Sequence, residues 1–166
     1  METNQQTNQA LTLPVLKPIT IEKEFLDKIK GDSLKSNIIM LIAEESDYVF
    51  FLACCNENET SNIDPEDIIK LNTQKGILDN GQDAKITLAD SIDLSTIYKI
   101  NYFDLRKKVS ISEKELPNYP YLGIEDQISV VNKLSTKLKS ATNMPRLVLI
   151  KKSLNNQETK VNSCTT

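Results

Sequence analysis

The stretch that most constrains this chain is "NIIMLIAEESDYVFFLACC", residues 37–55. Two apolar runs, 38–43 and 48–55, flank the polar link Glu44-Glu45-Ser46-Asp47. Each run has the length and the β-branched and aromatic content of a strand, and the link suits a turn, so the pair reads as a β-hairpin. Neither run alternates polar with apolar residues. A strand with one face in water would alternate, so both faces of this hairpin are expected to be covered. It is the candidate centre of the core, and 166 residues suit one domain with tails around it.

The rest of the chain supplies what covers the hairpin. Residues 1–18 are rich in Gln, Asn and Thr and carry Pro14 and Pro18, which predicts a disordered arm. "TIEKEFLDKIKG" predicts a helix with Thr20 as N-cap, Ile21, Phe25 and Ile29 on one face and Gly31 as its stop. In "DPEDIIKL", Asp64 can cap and Pro65 fits a first helical position. Asn80-Gly81 marks a turn. From 85 to 101, apolar residues fall at alternate positions (Ile86 and Leu88, Ile92 and Leu94, Tyr98 and Ile100), which predicts one or two short strands bent near Asp90-Ser91. "KKVSIS" reads as one more extended piece. The clearest helix spans about 124–141, with Ile124, Ile128, Val131, Leu134 or Ser135, and Leu138 as its apolar face. Glu125 and Asp126 in its first turn, and Lys137 and Lys139 near its end, suit the helix dipole. "RLVLI", 146–150, reads as a final strand, and the polar residues 153–166 as a disordered tail. The links between strands are too short for repeated βαβ crossovers. The expected class is therefore α+β: a small curled antiparallel sheet or an SH3-like barrel, with one long late helix and shorter ones, in a single domain over 19–152.

Composition narrows the chemistry. The chain has no His, which removes the usual general base near neutral pH and the commonest metal ligand. Residues 1–98 carry 8 basic and 17 acidic side chains, net −9, whereas 99–152 carry 11 basic and 5 acidic, net +6. Such asymmetry suits either a basic face for an acidic partner or ordinary solvated surface. Lys outnumbers Arg 18 to 2, and Arg is the better fork for phosphate. No stretch has the length of apolar residues that a membrane helix needs. Three cysteines without C-x-x-C spacing, and an N-terminus unlike a signal peptide, point to a reduced, cytoplasmic protein.

The run "LADSIDLSTIYKINYFDLRKKVSIS", followed by "IEDQISVVNKL", resembles the second half of the MazF/PemK-like toxins of bacterial toxin–antitoxin systems. Ser91, Ile92, Leu94, Ile97 and Ile100 fill the family's S-x-(I/V)-x-L-x-x-I-x-x-I pattern, and the hairpin is similar to its two core strands. The resemblance covers about 31–140. It implies an SH3-like barrel, commonly a homodimer, that cleaves single-stranded RNA without a metal or other cofactor and is held by an antitoxin protein. The family's catalytic Arg position falls near Lys35, Ser36 and Asn37, and its Ser/Thr position on Cys54 and Cys55. The family's Arg-Pro pair and its opening strand are missing, so the competing expectation is a non-catalytic barrel that binds a protein or nucleic acid.

Read from the residues alone, Cys54-Cys55 has four meanings. A disulfide between neighbours needs a strained ring, a metal site needs further ligands, and a nucleophile needs a base or cation beside it. The fourth, packing, needs only that one sulfur face the core and the other a groove or solvent, as strand alternation requires. Lys35 and Ser36 sit in a polar link where a cation could stabilise a phosphate-centred transition state. Arg106, Lys107 and Lys108 form a basic triplet, and Tyr102 beside it suits base stacking, so these four are the candidate RNA contacts.

Overall fold

In a computed structural model, residues 12–26 and 36–151 are described. Eight strands and three α-helices occur there: β1 (Pro18–Thr20), α1 (Lys23–Leu26), β2 (Ile38–Glu45), β3 (Tyr48–Cys55), β4 (Ile68–Lys70), β5 (Gly76–Ile77), β6 (Asp83–Ala84), β7 (Ser91–Asn101), α2 (Tyr102–Arg106), α3 (Ile124–Leu138) and β8 (Arg146–Ile150). The main sheet runs β1-β2-β3-β7-β4. All of those neighbours are antiparallel. β8 lies parallel to β7, pairing Thr96–Ile100 with Arg146–Ile150. β4 and β8 thus share one side of the long β7, at opposite ends, and β5 and β6 form a separate pair. The fold is α+β with a largely antiparallel sheet, and the sheet stays open rather than closing into a barrel.

The hairpin stands where its sequence put it, turned by Ser46 and Asp47 with Ser46 at φ 54°. Its unbroken apolar runs have a physical cause. Ile39, Leu41, Val49 and Phe51 enter one core layer with Phe25, Leu105 and Leu116. Met40, Leu52 and Cys54 enter a second layer on the other face, with Val130 and Leu134 of α3. A sheet sandwiched between two layers needs apolar residues at both parities.

Alternation fails to predict the layering of β7. Ile92 and Leu94 belong to the α3 layer, but Tyr98 and Ile100 belong to the opposite one. Between Phe51↔Tyr98 and Ala53↔Asp93, β3 advances two residues while β7 spends five. The three surplus residues form a bulge, and an odd surplus flips the strand's facing. Asp93 steadies the bulge by accepting the Ser95 N–H at 2.8 Å.

Three expectations change. Thr20 caps no helix: it lies in β1, its hydroxyl 2.6 Å from that of Ser110, and the described helix is the single turn α1. The rest of the predicted helix falls outside the described residues. The arm is packed where it is described: Leu13 is buried, and Leu16 N–H donates to Leu41 C=O at 2.8 Å. Residues 1–11 and 153–166 lie outside the description. Finally, α3 forms, but Val130, Leu134 and Lys137 face the core, while Ile124, Ile128, Val131 and Leu138 are 52–64% exposed. Polar pins set this roll. Asp126 accepts the Asn72 N–H at 2.8 Å, Lys133 donates to Ile68 C=O at 3.4 Å, and buried Lys137 pairs with Asp67.

The Asp64 cap holds: its carboxylate accepts the Glu66 N–H at 3.0 Å ahead of a 3-10 turn, Pro65–Asp67. Asn80-Gly81 forms its turn, Gly81 at φ +83°.

Candidate functional site

On the sheet face opposite α3, a cavity of about 400 Å³ opens beside the ends of β3 and β7. Ala53, Cys55 and Tyr98 form its floor, the β7 bulge contributes Asp93, Ser95 and Thr96, and Arg146 of β8 stands beside Thr96. The segment after β3 supplies Glu59, Asp64 and Asp67, and Ser36 closes the side before β2. The bulge is what brings Ser95 and Thr96 here, since bulges re-aim side chains beside sites.

Four carboxylates face one guanidinium in this lining. Asp67 is matched by Lys137, leaving Glu59, Asp64 and Asp93 to give the cavity an acidic field. The field acts on the thiols. Burial, then the carboxylates of Asp93, Glu59 and Asp90, push Cys55 up to about 11. Burial, and then Cys55, raise Cys54 further. At pH 7 roughly one Cys55 in ten thousand would be thiolate, so it lacks the state a nucleophile or metal ligand requires. Both cysteines are free, their side chains on opposite faces: Cys54 in the α3 layer and Cys55 at the cavity. Ser36 is almost buried, and its hydroxyl accepts the Ile38 N–H at 3.1 Å, so it is already used to start β2. No group of three His, Cys, Asp or Glu able to hold a metal occurs among the described residues.

Of the residues singled out from sequence, Ser36 and Cys55 meet at this cavity; Cys54 borders it, but its buried side chain packs in the α3 layer, and Lys35 lies outside the described residues. The basic triplet does not join them. Cys55 pairs with Ser91 at one end of β7, whereas α2 follows Asn101 at the other. On β3 seven residue steps separate the partners of these ends, Cys55 and Tyr48, about 23 Å. Tyr102 is half-buried against the core and its hydroxyl accepts the Leu13 N–H at 3.1 Å, which ties it to the arm rather than offering a stacking face. The Arg106 guanidinium lies over the Phe103 ring at 5.9 Å, with Nη1 buried and unpaired among the described residues. Lys107 is exposed and Lys108 half-buried.

Sequence reading missed Asp93, Ser95, Thr96 and Arg146. Asp93 and Ser95 alternate with Ile92 and Leu94, a signal that one side of this strand stays polar. The acid-rich stretch "ENETSNIDPED" after Cys55 was the second signal. Arg146 had none, because only the parallel pairing of β8 brings it to Thr96.

Fold and cavity together define an α+β protein with an open, doubly covered sheet and an acid-lined pocket on one face. Comparison with protein-family models, curated proteins and solved structures finds no match to the chain. No described helix is long and apolar enough to cross a membrane.

Proposed function

We propose that this chain is a non-catalytic binding module whose cavity takes a basic side chain from a partner protein. The observation that carries the reading is the pairing of cavity size with lining. About 400 Å³ lies within the range of ligand sites. Its walls combine an apolar floor with a surplus of carboxylates. An ammonium or guanidinium group entering it would gain charge-assisted hydrogen bonds, whereas a phosphate would meet like charge.

The test is fluorescence anisotropy with a labelled Arg/Lys-rich peptide and with a labelled single-stranded RNA pool. The peptide should bind, more weakly at higher salt, and Glu59→Gln and Asp93→Asn should each weaken it by about fivefold or more. Tighter binding of RNA than of peptide, unaffected by those two changes, would overturn the reading.

The second reading is the MazF/PemK-like endoribonuclease, in the cytoplasm and paired with an antitoxin. The meeting of Ser36 and Cys55 at one cavity favours it, since the resemblance gave those positions catalytic roles. It requires a cation to act with them, and Arg146 is the described lining residue with that charge. Metal-free cleavage of the RNA pool, abolished by Arg146→Ala, would establish this reading in place of the first.

A further inference from the structure

The main sheet has three outer strands, β1, β4 and β8, and they are guarded unequally. β1 is three residues long, opens with Pro18, and has its Thr20 C=O taken by the Ser110 N–H. β4 is also three residues long and ends in Lys70, which is exposed. Short length, proline and charge are the usual devices that keep an edge from pairing with a foreign strand. β8 lacks them. It runs five residues, and 147–150 are Leu, Val, Leu and Ile, without charge or proline. Its pairing with β7 is regular over all five positions, so no bulge turns it aside. Among the described residues no backbone group pairs with its outer edge. The N–H and C=O groups that 147–150 direct outward are therefore open to a further strand.

The same edge leads to the acid-lined cavity. β4 pairs with 91–93 and β8 with 96–100 of β7, and the cavity opens beside the gap, lined there by Asp93, Ser95 and Thr96. A strand added along β8 lies about 4.8 Å further out and turns alternate side chains to each face. One set shares the cavity face with Arg146. The other meets Leu147, which pairs with the α3-layer residue Ile97, and Leu149 on the same face. These leucines are 61% and 53% exposed.

We propose that the partner whose basic side chain enters the cavity docks as an extended strand, paired antiparallel to the outer edge of β8. The proposal rests on the cavity reading for the partner's basic residue, and on the unguarded edge for its backbone. Antiparallel pairing is the more stable arrangement. It carries the C-terminal end of the partner segment past Arg146 toward the cavity's carboxylates. The segment then needs apolar residues opposite Leu147 and Leu149, and an Arg or Lys further along, on the other face. Main-chain hydrogen bonds supply affinity, while the two leucines and the cavity supply selection. RNA has no amide ladder with which to extend β8.

The test is fluorescence anisotropy on the full chain with a labelled peptide of about ten residues, Val at alternate positions and one Arg near its C-terminus. The peptide should bind. N-methylation of alternate backbone amides keeps every side chain, and should weaken binding about tenfold in one parity and little in the other. Leu147→Lys and Leu149→Lys should each weaken it severalfold with circular dichroism unchanged. By hydrogen exchange, the outward amides of 147–150 should be fast in the chain alone and slow once peptide is added. Equal binding of the parent peptide and both methylated forms, with Glu59→Gln still weakening it, would overturn strand addition and leave the cavity reading standing. Binding that depends on parity but ignores Glu59→Gln would support strand addition and remove the cavity reading. No binding at about 1 mM would overturn strand addition, whether or not the Arg/Lys-rich peptide binds. So would amides of 147–150 that are all slow before peptide is added, since the edge would already be occupied by a second copy or by another segment of this chain.

Discussion

Leu13→Ala probes whether the first described segment belongs to the domain. Leu13 lies in the layer formed with Phe25, Phe51 and Leu105, and is 1% exposed. The segment is held on both sides of it. Leu13 N–H donates to the Tyr102 hydroxyl, Val15 bridges to Leu41, and Pro18–Thr20 pair with Ile38–Met40. Removing three carbons loses ~2 kcal/mol of transfer free energy. The cavity left behind adds ~1–2 kcal/mol, because a site pinned at several points collapses poorly. The total is ~3–4 kcal/mol, unless the segment detaches first, in which case the cost is capped by the free energy of that local opening. Urea unfolding followed by circular dichroism should show the midpoint falling by roughly 1–2 M with the slope retained. Hydrogen exchange separates the two routes: the Leu13 and Leu16 amides should be protected in the wild type, and if opening is local they alone should lose protection in the variant. A midpoint shift below about 0.3 M, with both amides unprotected in the wild type, would refute the packing argument and return residues 12–17 to a disordered arm.

Three further outcomes are expected. Cys55 titrates near 11 when folded, against 9.0 ordinarily, so between those values the unfolded chain binds fewer protons and stability falls as pH rises. The loss is ~1–2 kcal/mol, since the sulfur borders a water-accessible cavity, and thermal melts of wild type and Cys55→Ala should converge across that window. Gly76→Ala should destabilise more than Gly81→Ala, although only Gly81 has a positive φ. A Cβ at Gly76 would lie 2.5 Å from Ala84 C=O, while at Gly81 it meets open space and only ~1 kcal/mol of backbone strain is at stake. Equal melting temperatures for the two variants would contradict this. Lys137→Met strands the half-buried Asp67 carboxylate and should cost ~3 kcal/mol, and adding Asp67→Leu should recover most of it, as paired removal of buried charges does. Chemical denaturation that shows the double variant no better than the single one would count against that account.

The sequence by itself determined the hairpin, its double covering, the existence of α3 and β8, the Asp64 cap and the turn at Gly81. Each rests on a local signal: an apolar run, a helical period, a capping residue, a positive φ that Gly accepts. It also determined that one cysteine of the pair would face away from the other. What only the tertiary structure decided was which way things face. Alternation along β7 is even throughout, but the bulge inverts it partway, and a bulge is set by pairing with β3 rather than by the strand's own residues. The apolar period of α3 correctly marked a helix and then named the wrong face as buried. Its roll is fixed by Asp67, Ile68 and Asn72, more than fifty residues away in the chain. The cavity was half legible: Ser36 and the cysteines were in view, while Asp93, Ser95, Thr96 and Arg146 were assembled by the bulge and by one parallel strand pairing. Periodicity reports that a surface is apolar, and only packing says what covers it. Here the same physics leaves the apolar stripe of α3 exposed and turns the polar side of β7 inward to line a pocket.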